Sequence, residues 1–153
     1  MPIIEVYSDG SGNTFDSDGG WGYRIVIDGV IKEEGSGYLS SATNNVAEIS
    51  AAIAGLKAVK QLRVSMVPTP DVIKTVLVSD SQLVLGYASG KYQCKALHLT
   101  QLYIQLRQLY KELNCEVRWV KGHSGNPHNE RCDQLAKAAR ESKGLVNEDS
   151  HEV

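Results

Sequence analysis

The sequence predicts an α/β domain built on a mixed five-stranded sheet, three antiparallel meander strands followed by two parallel ones, with helices on both faces. Three observations carry this. Asp28-Gly29 is a two-residue hairpin signal between two extended segments. Helical and strand periods then alternate to the end, as in βαβ units. No repeat, low-complexity run or linker divides the 153 residues.

The elements follow in order. Ile3 to Ser8 is apolar and β-branched, and Trp21, Tyr23, Ile25 and Ile27 alternate along one side of a second strand. Beyond Asp28-Gly29, Val30-Ile31 opens a third strand that reaches about Leu39. From Asn44 the spacing changes to three and four: Val46, Ile49, Ile53, Leu56 and Lys60 define a helix ending near Arg63. Its alanines suit close packing on a sheet. Val64 to Asp71 holds Pro68 and Pro70 and reads as a loop, and Val72 to Val78 as a strand buried on both faces. Asp80-Ser81-Gln82 opens a short helix that stops at Ser89-Gly90. Leu99, Leu102, Leu106, Leu109 and Leu113 form the core stripe of a longer one. Cys115 to Val120 is the fifth strand. Asn126 caps the last helix, which begins at Pro127 and runs to about Ser142. Residues 1–143 form the domain, and 144–153 an acidic tail expected to be loose.

Composition narrows the function. Sixteen basic and 18 acidic side chains give a net charge of −2, so a polyanion must be held locally rather than by a global field. No apolar run approaches the roughly 18 residues of a membrane span, and Met1-Pro2-Ile3-Ile4 starts like a strand rather than a signal peptide. Cys94, Cys115 and Cys132 are odd in number and in no CxxC pair, which argues against disulfides and zinc. A cytoplasmic monomer with no membrane association and no obligate protein partner is expected.

Chemistry concentrates in acids. Asp9 closes the first strand, Glu48 lies in the first turn of the first helix, Asp80 closes the fourth strand, and Asp133 lies inside the last helix. Singly each has a plain alternative: a turn at Asp9-Gly10-Ser11-Gly12, a capping box from Asn45 to Glu48, an N-cap at Asp80, an exposed helical charge at Asp133. Together they mean more. If the first and fourth strands are neighbours, the acids converge at the carboxyl ends of parallel strands, where such sheets bind ligands. Converging carboxylates raise one another's pKa unless cations sit between them, and oxygen-only ligands select hard ions such as Mg²⁺ or Mn²⁺. Two such ions activate a water and stabilise the leaving oxygen in displacement at phosphorus.

The ordered segments Tyr7-Ser8-Asp9-Gly10-Ser11, Thr43-Asn44-Asn45-Val46-Ala47-Glu48, Val78-Ser79-Asp80-Ser81-Gln82, Trp119-Val120-Lys121-Gly122-His123-Ser124-Gly125 and Asn129-Glu130-Arg131-Cys132-Asp133 resemble ribonuclease H of type 1. The likeness covers Ile4 to about Arg140. It implies that Asp9, Glu48, Asp80 and Asp133 hold two Mg²⁺ ions, with Mn²⁺ as a substitute. It further implies that the RNA strand of an RNA–DNA hybrid is hydrolysed to 5′-phosphate and 3′-hydroxyl ends. It gives His123 a proton-transfer or product-release role, which a histidine on a Gly-flanked loop can fill near neutral pH. Thr43, Asn44 and Asn45 suit phosphate and minor-groove contacts at a helix N-terminus. Ser11, Glu48 and Gln82 resemble positions that sense the RNA 2′-hydroxyl, and Asn13 a DNA-strand contact.

Departures are equally specific. Many bacterial relatives carry a basic, Trp-bearing handle after the third carboxylate, whereas Ser81 to Leu97 holds only Lys91 and Lys95. No hybrid-binding module is expected before Ile3. Gly12 to Gly19 departs from the family's Gly/Pro-rich loop, which weakens the case for Asn13. Modest hybrid affinity follows. Two rival readings are a non-catalytic nucleic-acid-binding module, against which the full carboxylate set and His123 speak, and a DNA-cutting nuclease of the same superfold, against which Thr43-Asn44-Asn45 and Gln82 speak.

Overall fold

A computed structural model describes residues 2–12, 17–66 and 73–144. Asn13, most of the loop from Val64 to Asp71, Val72 and the tail beyond Gly144 lie outside the described residues. The strands are β1 (Ile3–Ser11), β2 (Gly19–Ile27), β3 (Val30–Leu39), β4 (Lys74–Ser79) and β5 (Cys115–Trp119). The helices are α1 (Asn44–Val64), α2 (Gln82–Ser89), α3 (Thr100–Glu112) and α4 (Pro127–Ser142), with a 3-10 turn at Leu97–Leu99 leading into α3. The sheet order is β3-β2-β1-β4-β5. The first three strands pair antiparallel, and β4 pairs parallel with both β1 and β5.

Strand alternation divides the core between two faces. Ile4, Val6, Ile25 and Leu77 pack with Ile49, Ile53 and Leu56 of α1, Val84 of α2 and Leu106 of α3. Tyr7, Val26, Val76 and Val78 point the other way and pack with Cys132 of α4. Three helices therefore cover one face and α4 alone covers the other. The hairpin after β2 is the expected one: Asp28 and Gly29 have φ values of 49° and 83°, the left-handed pair that matches strand twist.

Two glycines set how closely the helices dock. A Cβ on Gly10 would lie 2.3 Å from the backbone carbon of Ala47 and the nitrogen of Glu48, so α1 lies directly on β1. A Cβ on Gly20 would lie 2.2 Å from the carbonyl oxygen of Ala136, so α4 lies equally close to β2. Both helices thus bring backbone and side chains to the same end of the central strands.

Three local expectations change. β1 continues past Asp9 to Ser11, because Gly22, Trp21 and Gly20 of β2 supply partners for Asp9, Gly10 and Ser11; the turn alternative is excluded. Thr43, rather than Asn45, caps α1, its hydroxyl accepting from the Val46 amide at 3.3 Å. Glu48 consequently falls in the second turn, beyond the reach of a capping box. Ser81 caps α2 by accepting from the Val84 amide at 3.2 Å, which frees the Asp80 carboxylate.

Gly20→Ala should lower unfolding free energy by about 3 kcal/mol, since the rigid backbone of α4 must retreat. Gly29→Ala, with open space around it, should cost only about 1 kcal/mol of backbone strain. Urea titration measures both, and equal costs would contradict the close docking of α4.

Candidate active site

Parallel pairing of β1 and β4 places Asp9, two residues before the end of β1, beside Asp80, which follows the last residue of β4. The close approach at Gly10 delivers Glu48 from α1 to the same point. One carboxylate oxygen from each of Asp9, Glu48 and Asp80 lies within 4.8 Å of the others. The Gly10 amide donates to Asp9 Oδ1 at 2.9 Å and to Glu48 Oε1 at 3.3 Å, joining two acids through one N–H. Asn129 Nδ2 donates to Asp80 Oδ2 at 3.4 Å, and Trp119 Nε1 donates to the Asp80 carbonyl at 3.2 Å. The first holds the Asp80 carboxylate and the second its backbone.

Electrostatics follow from this crowding. Asp9 and Glu48 are buried, 6% and 8% exposed. Burial, first, raises the pKa of both. Asp9 is pushed up further by its hydrogen bond with Glu48 and by the charges of Glu48, Asp80 and Asp133. The same hydrogen bond and that from Gly10 pull Glu48 partly back, while the charge of Asp80 pushes it up. The pair behaves as a site that retains a proton which ordinary carboxyls have lost.

Around these acids opens a cleft of about 590 Å³, whose wall includes Ser11, Asn44, His123 and Asp133. His123 stands on the exposed loop before α4 in a left-handed conformation, φ 54°. The neighbouring Gly122 matters because a Cβ there would lie 2.9 Å from Asp80 Oδ2, filling space beside the acids. Asp133 is not an open helical charge: its side chain is 23% exposed and its Oδ2 lies 3.1 Å from Lys137 Nζ.

Asp9, Glu48, Asp80, Asp133, His123, Ser11 and Asn44 therefore meet in one cleft. Thr43 and Asn45 do not line it; Thr43 spends its hydroxyl on the cap and Asn45 is exposed. Gln82 lines the adjoining groove with Lys91, Tyr92 and Trp119. Three contributors escaped the sequence reading: Asn129, Lys137 and Arg140. Their signal was available, because they stand four before, four after and seven after Asp133, on one face of α4.

A family model described as RNase H matches residues 2–141. The chain belongs to the ribonuclease H family. It is 33% identical to a ribonuclease H of Shewanella sp. (strain ANA-3), covering 93% of this chain and 90% of that protein. A solved ribonuclease H1 from the halophilic archaeon Halobacterium salinarum NRC-1 is 27% identical, with a TM-score of 0.76 over 92% of this chain and 98% of that one. LC11-RNase H1, solved in complex with an RNA/DNA hybrid, shares the fold at 23% identity, with a TM-score of 0.78 over 91% of this chain and 97% of that one. The protein is thus a nuclease. No helix among the described residues is long and apolar enough to cross a membrane.

The donor set fits a divalent cation. It is all oxygen, which suits hard ions, and burial together with neighbouring carboxylate charge raises the pKa of its two buried acids, a bias that a bound cation would reverse.

The raised pKa values give a testable pH dependence. Above the ordinary carboxylate range the unfolded chain loses protons that the native Asp9–Glu48 pair keeps, so the native state binds more protons and stability falls as pH rises. In metal-free buffer the melting temperature should decline from about pH 5 to about pH 8, and Asp9→Asn should remove most of that decline. A wild-type melting temperature that is flat or rises over this range would contradict the assignment.

Proposed function

We propose that this ribonuclease H hydrolyses the RNA strand of RNA–DNA hybrids with two Mg²⁺ ions, leaving 5′-phosphate and 3′-hydroxyl ends. The supporting observation is the convergence of Asp9, Glu48 and Asp80 within 4.8 Å, in the cleft that Asp133 and His123 also line. Asp9, Glu48, Asp80 and Asp133 would hold the ions. When bound, the ions supply Lewis acidity, which lowers the pKa of an attacking water and neutralises charge on the leaving oxygen. Mn²⁺ is expected to substitute.

The chain's own residues do the rest. Asn129 and Trp119 fix Asp80, and the Gly10 amide fixes Asp9 and Glu48, so the acids are aligned before substrate arrives. The His123 imidazole exchanges protons with the reacting phosphate or assists product release, and its exposed loop gives it the required reach. Ser11 and Glu48, both in the cleft, and Gln82 beside it, recognise the RNA 2′-hydroxyl. Asn44 contacts phosphate at the N-terminus of α1, flanked by Thr43 and Asn45. Asn13 is retained as a DNA-strand contact from the sequence alone.

Hybrid affinity is modest, because Lys91 and Lys95 are the only cations from Ser81 to Leu97. The Lys91 ammonium, 5.9 Å from the Tyr92 ring centroid, is the cation of the groove that Gln82 shares. Residues 1–143 act as one domain, and the enzyme works as a cytoplasmic monomer.

Cleavage of matched RNA–DNA hybrid, duplex RNA and duplex DNA in Mg²⁺ tests this reading. Hybrid alone should be cut efficiently, and only in its RNA strand. Asp9→Asn and Asp80→Asn should abolish cleavage with the fold intact, whereas His123→Ala should lower turnover about a hundredfold and leave metal binding near wild type. Efficient cutting of duplex DNA, or full activity in either aspartate variant, would refute it.

A further inference from the structure

The fourth acid of the site differs from the other three. Oxygens of Asp9, Glu48 and Asp80 form a compact cluster among the described residues, and Asp133 stands outside it. Asp133 is instead held by a cation of its own helix: Lys137 Nζ lies 3.1 Å from Asp133 Oδ2, one helical turn further along α4. Acid four residues before base is the favourable order on a helix. Both residues line the cleft, as does Arg140 one turn beyond, so the ion pair faces the catalytic space. The Lys137 side chain is half exposed, 51%, and free to move once its partner is taken.

We propose that Lys137 is a positioning residue that stands in for the second divalent ion in the metal-free enzyme. Its ammonium neutralises Asp133 and keeps it oriented, and it is displaced when the ion binds. The released ammonium, with the Arg140 guanidinium, then faces the phosphates of the strand entering the cleft. The inference deepens the two-ion reading and rests on it. An ammonium on a flexible stem is suited to this exchange, because it gives a single mobile charge rather than a fixed bidentate clamp. Its cost is competition: the second ion must displace a cation that the first does not meet. The two ions should therefore bind with unequal affinity even though all their ligands are carboxylates.

Mn²⁺ titration of the metal-free, full-length protein, followed by the electron paramagnetic resonance of free Mn²⁺, reads this without any turnover. Wild type should show one tight and one weaker site. Lys137→Met, which keeps most of the stem and removes the charge, should tighten the weaker site by roughly two- to fivefold and leave the tight site unchanged. Lys137→Arg should restore the wild-type pattern. With Mg²⁺ present, hybrid binding by Asp9→Asn with Lys137→Met, compared with Asp9→Asn alone, should show a salt slope shallower by about one phosphate contact. A weaker site unmoved by Lys137→Met, both sites shifted equally, or an unchanged salt slope would overturn the proposal. Those results leave the two-ion reading intact, whereas wild-type protein that binds no Mn²⁺ would overturn that reading and the proposal with it.

Discussion

Mutual repulsion among acids gathered at one end of the central strands is the constraint around which this domain is arranged. Asp9 and Glu48 are buried within reach of each other and of Asp80, a placement that isolated carboxylates would avoid. The fold enforces it by backbone contact. α1 lies on β1 at Gly10, where a side chain has no room, and that contact positions Glu48. Parallel pairing of β1 with β4 positions Asp80, and the close seat of α4 on β2 at Gly20 positions Asp133. The repulsion is offset by core packing on both faces, with Ile49, Ile53 and Leu56 on one side and Cys132 on the other. Stability is given up at the site and recovered in the core, the usual relation between strained sites and their scaffolds.

Charge is handled locally throughout. A net charge of −2 provides no general attraction for a polyanion, so the cations that matter must stand where phosphate arrives. Lys137 and Arg140 occupy the cleft wall itself, on the face of α4 that also presents Asp133 and Asn129. The same helix thus brings an acid, two cations and an amide that orients a second acid to one cleft.

Most of the fold was legible because its signals are local. Asp28-Gly29 needs only two residues to specify a hairpin, Asn126-Pro127 only two to start α4, and the leucines of α3 repeat within one helix. What the sequence hid is non-local. Asp9-Gly10-Ser11-Gly12 reads as a turn until Gly19 to Gly22 are known to lie beside it as a strand. Thr43 and Asn45 look equivalent to Asn44 along the chain, yet helical geometry and the cap leave only Asn44 at the cleft. Asp133 was legible through its motif, but Lys137 and Arg140 require the α4 wheel to be drawn from Asp133 outward. The three-to-one division of helices between the faces depends on crossover paths that no local pattern records.

The raised carboxyl pKa values of Asp9 and Glu48 are the most direct consequence of the crowding, and metal binding must bring both groups to their ionised form. Isothermal titration of the metal-free protein with Mg²⁺, repeated near neutral pH in buffers of different ionisation enthalpy, counts the protons released. The arrangement described above requires release of close to one proton per molecule, falling toward zero in Asp9→Asn. Binding of Mg²⁺ with no proton release by the wild type would show that the acids are already fully ionised, and would contradict the repulsion on which the account is built.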